Sequence, residues 1–430
     1  MIIKPNIFFS KDYLPQNYTD WRLPENRLEA FSRVCHTRYV EGDLDHHHVG
    51  KVICDHYGWD NEQKALYAMY FGQSYRNHWA MIAMQLDLWN MQQDKLVEWH
   101  NENWRRMKFG NDTKWNVRKF PLFVADIKKK IGKGSLYEYL GNAAHAGSRE
   151  QNYKSLNKCL KEFYSIGRMT AWLAQQTLYE FFDWDIDHWD QQLYDNATWS
   201  QYDSICYLFD RIDIARKQKV CDEEGKILKI NTYVPSKDDI KLMEGKTIEL
   251  MEFLNKRMPF HVDIYNIESV ECEFRKTAYG PKIKEFTYWT TNELVEGFDH
   301  LVNLWQDYGG PGKVDWTPYV IAFMTKGNNL IDYGYHKDYF KVMTDYGMNL
   351  NTHHLYKDEP NAHKVLSLNK IIPDSVASMN YIWSRFTKSE QKAMREKYNP
   401  VRYLKFKDKD HIAWTDPNVD YSYAKPFTSA

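Results

Sequence analysis

Several features that classify a protein at a glance are scarce or missing in this chain. Its 430 residues hold six cysteines, at positions 35, 54, 159, 206, 221 and 272, with no C-x-x-C pair. That scatter argues against a zinc ribbon and against a disulfide scaffold. No apolar run approaches the roughly 18 residues needed to span a bilayer. The opening MIIKPNIFFSKDYLPQ has a short apolar stretch, but no long apolar core or small-residue cleavage site. The cytoplasm is therefore the expected compartment. Charge of one sign is missing too, since the formal net charge is -1. A protein that coats nucleic acid is basic overall, so nucleic-acid binding here would rest on a local patch. Gly309-Gly-Pro-Gly-Lys-Val314 lacks both the spacing and the hydroxyl residue of a P-loop, and Gly132-Lys-Gly-Ser135 also fails the pattern. There is no Rossmann fingerprint, no serine-nucleophile elbow and no repeat of fixed period.

Aromatic residues are abundant. Sixteen Trp, 31 Tyr and 21 Phe make up 16% of the chain. Such side chains fill cores, and the same flat rings can stack on bases. The apolar periodicity is mostly helical. Residues 1–24 read as an irregular entry, with Pro5, Pro15 and Pro24. A helix follows that places Leu28, Phe31, Val34 and Cys35 on one face. Further helices are predicted over 60–89, with Asp60 as N-cap, and over 86–109, 151–165, 168–182 and 188–213. Residues 217–236 change character: Glu224-Gly225 is a turn signal and ILKINTYV alternates, which predicts a β-hairpin. A helix is predicted over 237–257, mixed structure over 261–290, and helices over 291–306, 336–347 and about 374–398. The tail from 400 is polar. The predicted organisation is a segment 1–24, a helical core 25–309, and a C-terminal extension 310–430 that begins at the YGGPGK interruption.

The near-neutral total hides a local imbalance. Between 105 and 133 stand Arg105, Arg106, Lys108, Lys114, Arg118, Lys119, Lys128, Lys129, Lys130 and Lys133, opposed only by Asp112 and Asp126, a local charge of +8. Trp104, Trp115 and Phe120 are interleaved. Phosphate contacts and stacking platforms draw on this mixture, as does an ordinary solvated surface.

The segment Phe163-Tyr-Ser-Ile-Gly-Arg-Met-Thr-Ala-Trp172 carries the most information. Its Ile-Gly-Arg-x-Thr-Ala element resembles the hairpin of helix-hairpin-helix DNA glycosylases. In those proteins a glycine-rich turn presents backbone N–H groups at a helix N-terminus to a DNA phosphate. The resemblance implies phosphate contacts at Gly167 and Thr170. It also implies an aspartate one helix further on, beside a flipped nucleotide. Asp185, Asp187 and Asp190 are available in WDIDHWD, and the spacing leaves both Asp185 and Asp187 open. Those proteins usually have two glycines in the turn, and here Ser165 stands in place of one.

Two more blocks narrow the resemblance. Ile267-Glu-Ser-Val-Glu-Cys-Glu-Phe-Arg-Lys276 is similar to an I-E-x-x-L-C-x-[YF]-x-K motif of certain bacteriophage proteins. Phe71-Gly-Gln-Ser-Tyr-Arg76 is similar to their early F-x-N-x-Y-R helix. They are the alpha-glutamyl/putrescinyl thymine pyrophosphorylases, or amino acid:DNA transferases, and the related helical domain of 5-hydroxymethyluracil DNA kinases. Glu268, Cys272 and Lys276 match, whereas Glu271 occupies a position that is usually apolar. The resemblance implies a mainly α fold, a glycosylase-like helical core with a small β-hairpin and a C-terminal extension. It also implies a reaction in which an amine, commonly that of an amino acid, displaces pyrophosphate from a pyrophosphorylated hydroxymethyluracil in double-stranded phage DNA. The host cytoplasm of an infected bacterium would be the setting.

Such chemistry needs particular parts. The base must be extruded to expose the reacting carbon. A carboxylate must take a proton from the amine, and Asp185, Asp187 and Glu268 are candidates. Cations must face the departing pyrophosphate, with Arg76, Arg168, Arg275 and Lys276 available. Lys128, Lys129 and Lys130 are candidate DNA contacts. No cofactor is legible. Magnesium needs few protein ligands and could bridge pyrophosphate and acids without leaving a sequence signature. Asp43-Leu-Asp-His-His-His48 has ligand-type residues, but adjacent helical positions do not converge on one ion. Two other readings share the hairpin: a base-excising glycosylase, and a non-catalytic DNA-binding accessory of a hydroxymethyluracil DNA kinase.

Overall fold

The computed structural model describes residues 24–29, 46–73, 87–103, 119–186, 199–221, 227–257, 317–325 and 381–398, together with single positions at 31, 32, 35, 84, 262, 264, 265, 267, 268, 270 and 271. The described helices are α1 (His46–Tyr57), α2 (Asn61–Gln73), α3 (Gln93–Asn103), α4 (Lys119–Ile131), α5 (Leu136–Ala144), α6 (Arg149–Lys161), α7 (Arg168–Phe182) and α8 (Trp199–Leu208). Strands β1 (Lys217–Cys221) and β2 (Ile227–Thr232) precede α9 (Lys237–Arg257), α10 (Thr317–Thr325) and α11 (Lys388–Tyr398). The fold is mainly α with one small antiparallel hairpin among the described residues, as the sequence predicts. The chain forms two compact units. One comprises Leu44–Ile186 and Thr290–Asn399, and the other Met1–Asp43, Asp187–Trp289 and Pro400–Ala430.

The first unit is built around the crossing of α2 and α7. Asp60 caps α2 as predicted: its Oδ1 accepts from Gln63 N at 2.8 Å, and Gln63 Oε1 accepts from Asp60 N at 3.1 Å. Residues 65–73 are then buried without a break. A Cβ on Gly72 would lie 2.7 Å from the Ala174 Cβ and 2.8 Å from its backbone nitrogen, so only glycine allows the two helices to approach this closely. Much of the aromatic content fills this core. Tyr67 stacks on Phe71 at 5.8 Å, Tyr70 meets Phe120 edge-on at 5.5 Å, and Trp172 is fully buried. Helix α10, from the predicted extension, packs on α1, and Lys397 of α11 reaches Asp55 of α1 at 3.7 Å.

Several helix predictions run too long, each for a local reason. The expected helix over 86–109 starts only at Gln93. Asp87 adopts φ 52 and accepts at Oδ1 from Asn90 Nδ2 at 2.8 Å, making a tight turn of the kind Asp tolerates. The helix expected to run to 165 ends at Lys161, ahead of Ser165 at φ 65. The run expected over 374–398 is broken by a turn at 384–387, where Thr387 and Glu390 cap α11 reciprocally.

In the second unit the β-hairpin and α9 fall where predicted. Lys217 pairs with Thr232 and Cys221 with Ile227, with a bulge between Val220 and Cys221. The Glu224-Gly225 turn lies outside the described residues. Helix α8 ends early in the run expected to reach 213, because Asp210 turns left-handed at φ 55. Arg27 is fully buried; it donates to Tyr207 O at 2.8 Å and to Asp210 Oδ1 at 3.0 Å. Phe31 and Cys35 of the predicted apolar face are buried as well. Asn255 ties the end of α9 to the segment beyond it, donating to Val262 O at 2.9 Å and accepting from Val262 N at 3.1 Å.

Candidate functional site

Helices α6 and α7 with the turn between them form a helix-hairpin-helix. They are held together inside by Gln175, which accepts from Asn157 Nδ2 at 3.2 Å and donates to Tyr153 O at 3.2 Å. Helix α6 starts with a full capping box between Ser148 and Gln151. Helix α7 starts at Gly167, whose backbone is extended at φ -96 and ψ -172. The Thr170 hydroxyl accepts from Gly167 N at 2.8 Å and donates to Gly167 O at 3.1 Å, which locks the turn. Thr170 is buried, so its hydroxyl acts on the turn from within.

Two features of the turn bear on phosphate binding. A Cβ on Gly167 would meet nothing within 4 Å. The fold does not demand glycine there, and its bareness leaves the start of α7 open to close approach. Ser165 holds φ 65, the left-handed conformation that glycine adopts most cheaply. The position where the related hairpins carry a second glycine is thus one that suits glycine, and serine occupies it at some strain.

The hairpin rests on α4. Asp126 Oδ2 accepts from the Tyr164 backbone N at 2.7 Å and from Lys130 Nζ at 2.6 Å. Lys130 also lies 5.4 Å from the Phe163 ring centre. Lys128 is half-buried, 5.4 Å from the Trp89 ring, and donates to Met91 O at 3.4 Å; burial lowers its pKa. Lys129 and Arg168 are exposed. On the other side, Tyr139 donates to Glu162 at 3.4 Å, and burial, ahead of its neighbours Cys159 and Glu162, pushes the phenol up to about 12. The predicted lysines therefore divide: Lys130 braces the hairpin, Lys128 packs on the 89–91 turn and Lys129 faces outward.

Asp185 sits beyond the far end of α7, roughly 22 Å along the axis of a 15-residue helix. The helix stops at Asp183 in the left-handed conformation, φ 51. Asp185 is exposed and accepts at Oδ1 from Arg149 Nε at 2.9 Å. Its carbonyl accepts from Asn152 Nδ2 at 3.1 Å, and Asn152 Oδ1 accepts from Gly147 N at 2.9 Å. Beside it lies an aromatic group: Phe182 stacks on Trp184 at 4.8 Å, and Tyr137 and His145 lie 5.7 and 5.8 Å from Trp184. Glu62 fixes the position of Tyr137. Its carboxylate accepts from Ser135 Oγ at 2.7 Å, Leu136 N at 2.8 Å and Tyr137 N at 3.0 Å, holding the first turn of α5.

Glu268 belongs to the second unit. It is buried, and its Oε1 accepts from Gln201 Nε2 at 2.6 Å. Glu271, one turn on, is fully buried, so this usually apolar position keeps its burial while carrying a carboxylate. Asp187, Asp190, Arg76, Arg275 and Lys276 lie outside the described residues. His47 is buried, with Nδ1 3.0 Å from Thr177 Oγ1 and its ring against Phe71, in a packing role. Among the described residues, no group of three or more His, Cys, Asp or Glu side chains could hold a metal ion. No helix among them is long and apolar enough to cross a membrane. Sequence reasoning did not single out Asp126, Arg149, Asn152 or Glu62. The Ser148-x-x-Gln151 capping signature was a local signal that could have drawn attention to Arg149 and Asn152.

This geometry defines a helix-hairpin-helix protein whose turn is braced by a basic helix and whose second helix leads to an exposed aspartate. Residues 41–282 match the family described as amino acid:DNA transferase. The match covers more than half of the chain, and the protein belongs to that family: it is a transferase that modifies DNA with an amino acid. No curated protein and no solved structure matches it.

Proposed function

We propose that this transferase acts on double-stranded phage DNA carrying pyrophosphorylated 5-hydroxymethyluracil, in the host cytoplasm, with Asp185 as the general base. The observation that carries the reading is the helix-hairpin-helix itself: an open start of α7 at Gly167 and Arg168, and Asp185 just past the end of the same helix. The N-terminus of α7 and Lys129 grip the backbone while the target nucleotide turns out of the duplex. Asp185 takes a proton from the amino acid's ammonium group. The nitrogen lone pair then attacks the methylene carbon on C5 of the base. The carbon–oxygen bond breaks, and pyrophosphate leaves with the electron pair. Loss of a second proton to solvent leaves a neutral secondary amine. Arg76, Arg275 and Lys276 are assigned to the departing pyrophosphate, and Glu268 and Asp187 remain second candidates for proton transfer. Holding amine and carbon together contributes up to about 7–11 kcal/mol in ideal cases. On this reading residues 25–309 form the catalytic core and 310–430 extend it.

The test is nucleoside mass spectrometry on pyrophosphorylated DNA after incubation with the protein and a pool of amino acids. The expected result is a nucleoside heavier than 5-hydroxymethyldeoxyuridine by one amino acid less one water, with pyrophosphate released. An unchanged base would overturn the proposal, and abasic sites would assign the hairpin to base excision instead.

A further inference from the structure

We propose that Arg149 binds the α-carboxylate of the incoming amino acid and so sets the enzyme's preference for amino acids over simple amines. This rests on the reading of Asp185 as the base. Arg149 and Asp185 present opposite charges 2.9 Å apart, and both side chains are substantially exposed, at 43% and 64%. An α-amino acid carries the same two charges in mirror order, separated by one carbon. Inserted between them, its ammonium group meets Asp185 and its carboxylate meets Arg149. An exposed ion pair contributes little stability, so exchanging it for two such contacts costs little. The guanidinium fork matches a carboxylate in a two-bond geometry that lysine cannot reproduce.

The surroundings hold these two groups in register. Arg149 is the first residue of α6, directly after the Ser148–Gln151 capping box. Asn152, one turn further along the same helix, grips the Asp185 carbonyl at 3.1 Å and takes the Gly147 N–H at 2.9 Å. One asparagine thus ties the segment bearing the cation to the segment bearing the base. Glu150, the next residue, is paired with Lys154, which reduces competition from a neighbouring negative charge. The first turn of a helix also favours an anion, which adds to the Arg149 contact without creating a site alone.

The experiment uses the full chain and pyrophosphorylated DNA. It compares kcat/KM for glycine with methylamine, serine with ethanolamine, and glutamate with 4-aminobutyrate. Each pair differs by one α-carboxylate. For the best pair the wild type is expected to favour the amino acid by about tenfold or more, the size of one charge-assisted hydrogen bond. In Arg149→Met that ratio falls toward unity, through KM for the amino acid more than through kcat, and Arg149→Lys restores part of it. DNA affinity serves as the check on folding, and Arg149→Gln replaces Met if the first variant is insoluble. An unchanged ratio in a variant that still forms adduct, or a wild type without preference, overturns the inference. No adduct from the wild type with any amine or amino acid overturns the transferase reading beneath it.

Discussion

Replacing Glu62 by alanine is expected to cost about 3 kcal/mol of stability, although nothing in the local sequence marks this residue. Its half-buried carboxylate accepts three hydrogen bonds across more than 70 residues of chain, from Ser135 Oγ, Leu136 N and Tyr137 N. Hydrogen bonds to a charged group contribute about 1.5–3 kcal/mol each when measured singly, and three sharing one carboxylate do not add. The negative charge at the start of α5 contributes about 0.3–1 kcal/mol more through the helix dipole. Glu62→Gln is expected to lose nearly as much, because its amide nitrogen would face donors. Ser135→Ala removes only the N-cap oxygen that Glu138 N uses at 3.1 Å, worth about 1 kcal/mol. Urea unfolding monitored by tryptophan fluorescence measures all three. The midpoint should move while the slope stays constant. The double variant should depart from additivity by at least about 0.5 kcal/mol, since Ser135 bonds Glu62 directly. A loss below about 0.5 kcal/mol in Glu62→Ala, or strict additivity, would refute the account.

Three further outcomes are expected. Asp126→Ala removes a negative charge beside Lys129 and Lys130, which by charge alone would tighten DNA binding; because Asp126 holds Tyr164 N, affinity should instead fall by about 2–10-fold, the value of one hydrogen bond, and anisotropy showing tighter binding would reject the positioning role. Burial pushes the Cys54 and Cys206 thiols up and raises Cys159 to about 11, so at pH 8 peptide mapping after thiol labelling should show these three slow to react. The folded pKa of Cys159 lies above its unfolded value, so its contribution to stability is complete below pH 9 and is lost as pH rises through about 11. Stability that does not fall between these values would count against the assignment.

What was legible in the sequence was what local chemistry determines. Asp60 was read as a cap because its partner Gln63 lies three residues away. Helix α9 runs over the predicted 237–257 because Met243, Thr247, Leu250, Met251 and Leu254 keep helical spacing and Ser236 closes its start. The Ile-Gly-Arg-x-Thr-Ala element marked the hairpin because Thr170 and Gly167 bond within the motif. What escaped was determined at long range. The hold of Asp126 on Tyr164 spans 38 residues, and in sequence Asp126 shows only as an i,i+4 partner of Lys130. Arg149 meets Asp185 across 36 residues, which no spacing rule reports. Helix ends were overrun at Asp87, Ser165 and Asp210, each turned left-handed, since periodicity does not register a single φ, whereas the end before Asp183 was read correctly.

The pairing of α1 with α10 has a consequence in time. Helix α1 ends at Tyr57 and its partner begins at Thr317, so 260 residues separate them. At about 5–20 residues per second a ribosome takes roughly 13–50 s to supply the second helix. During that interval the side of α1 that packs against α10 waits uncovered. The matched family region ends at 282, before α10 is reached. A chain released there would leave that face bare permanently, and a nascent chain passing that point is where a chaperone would have most to hold.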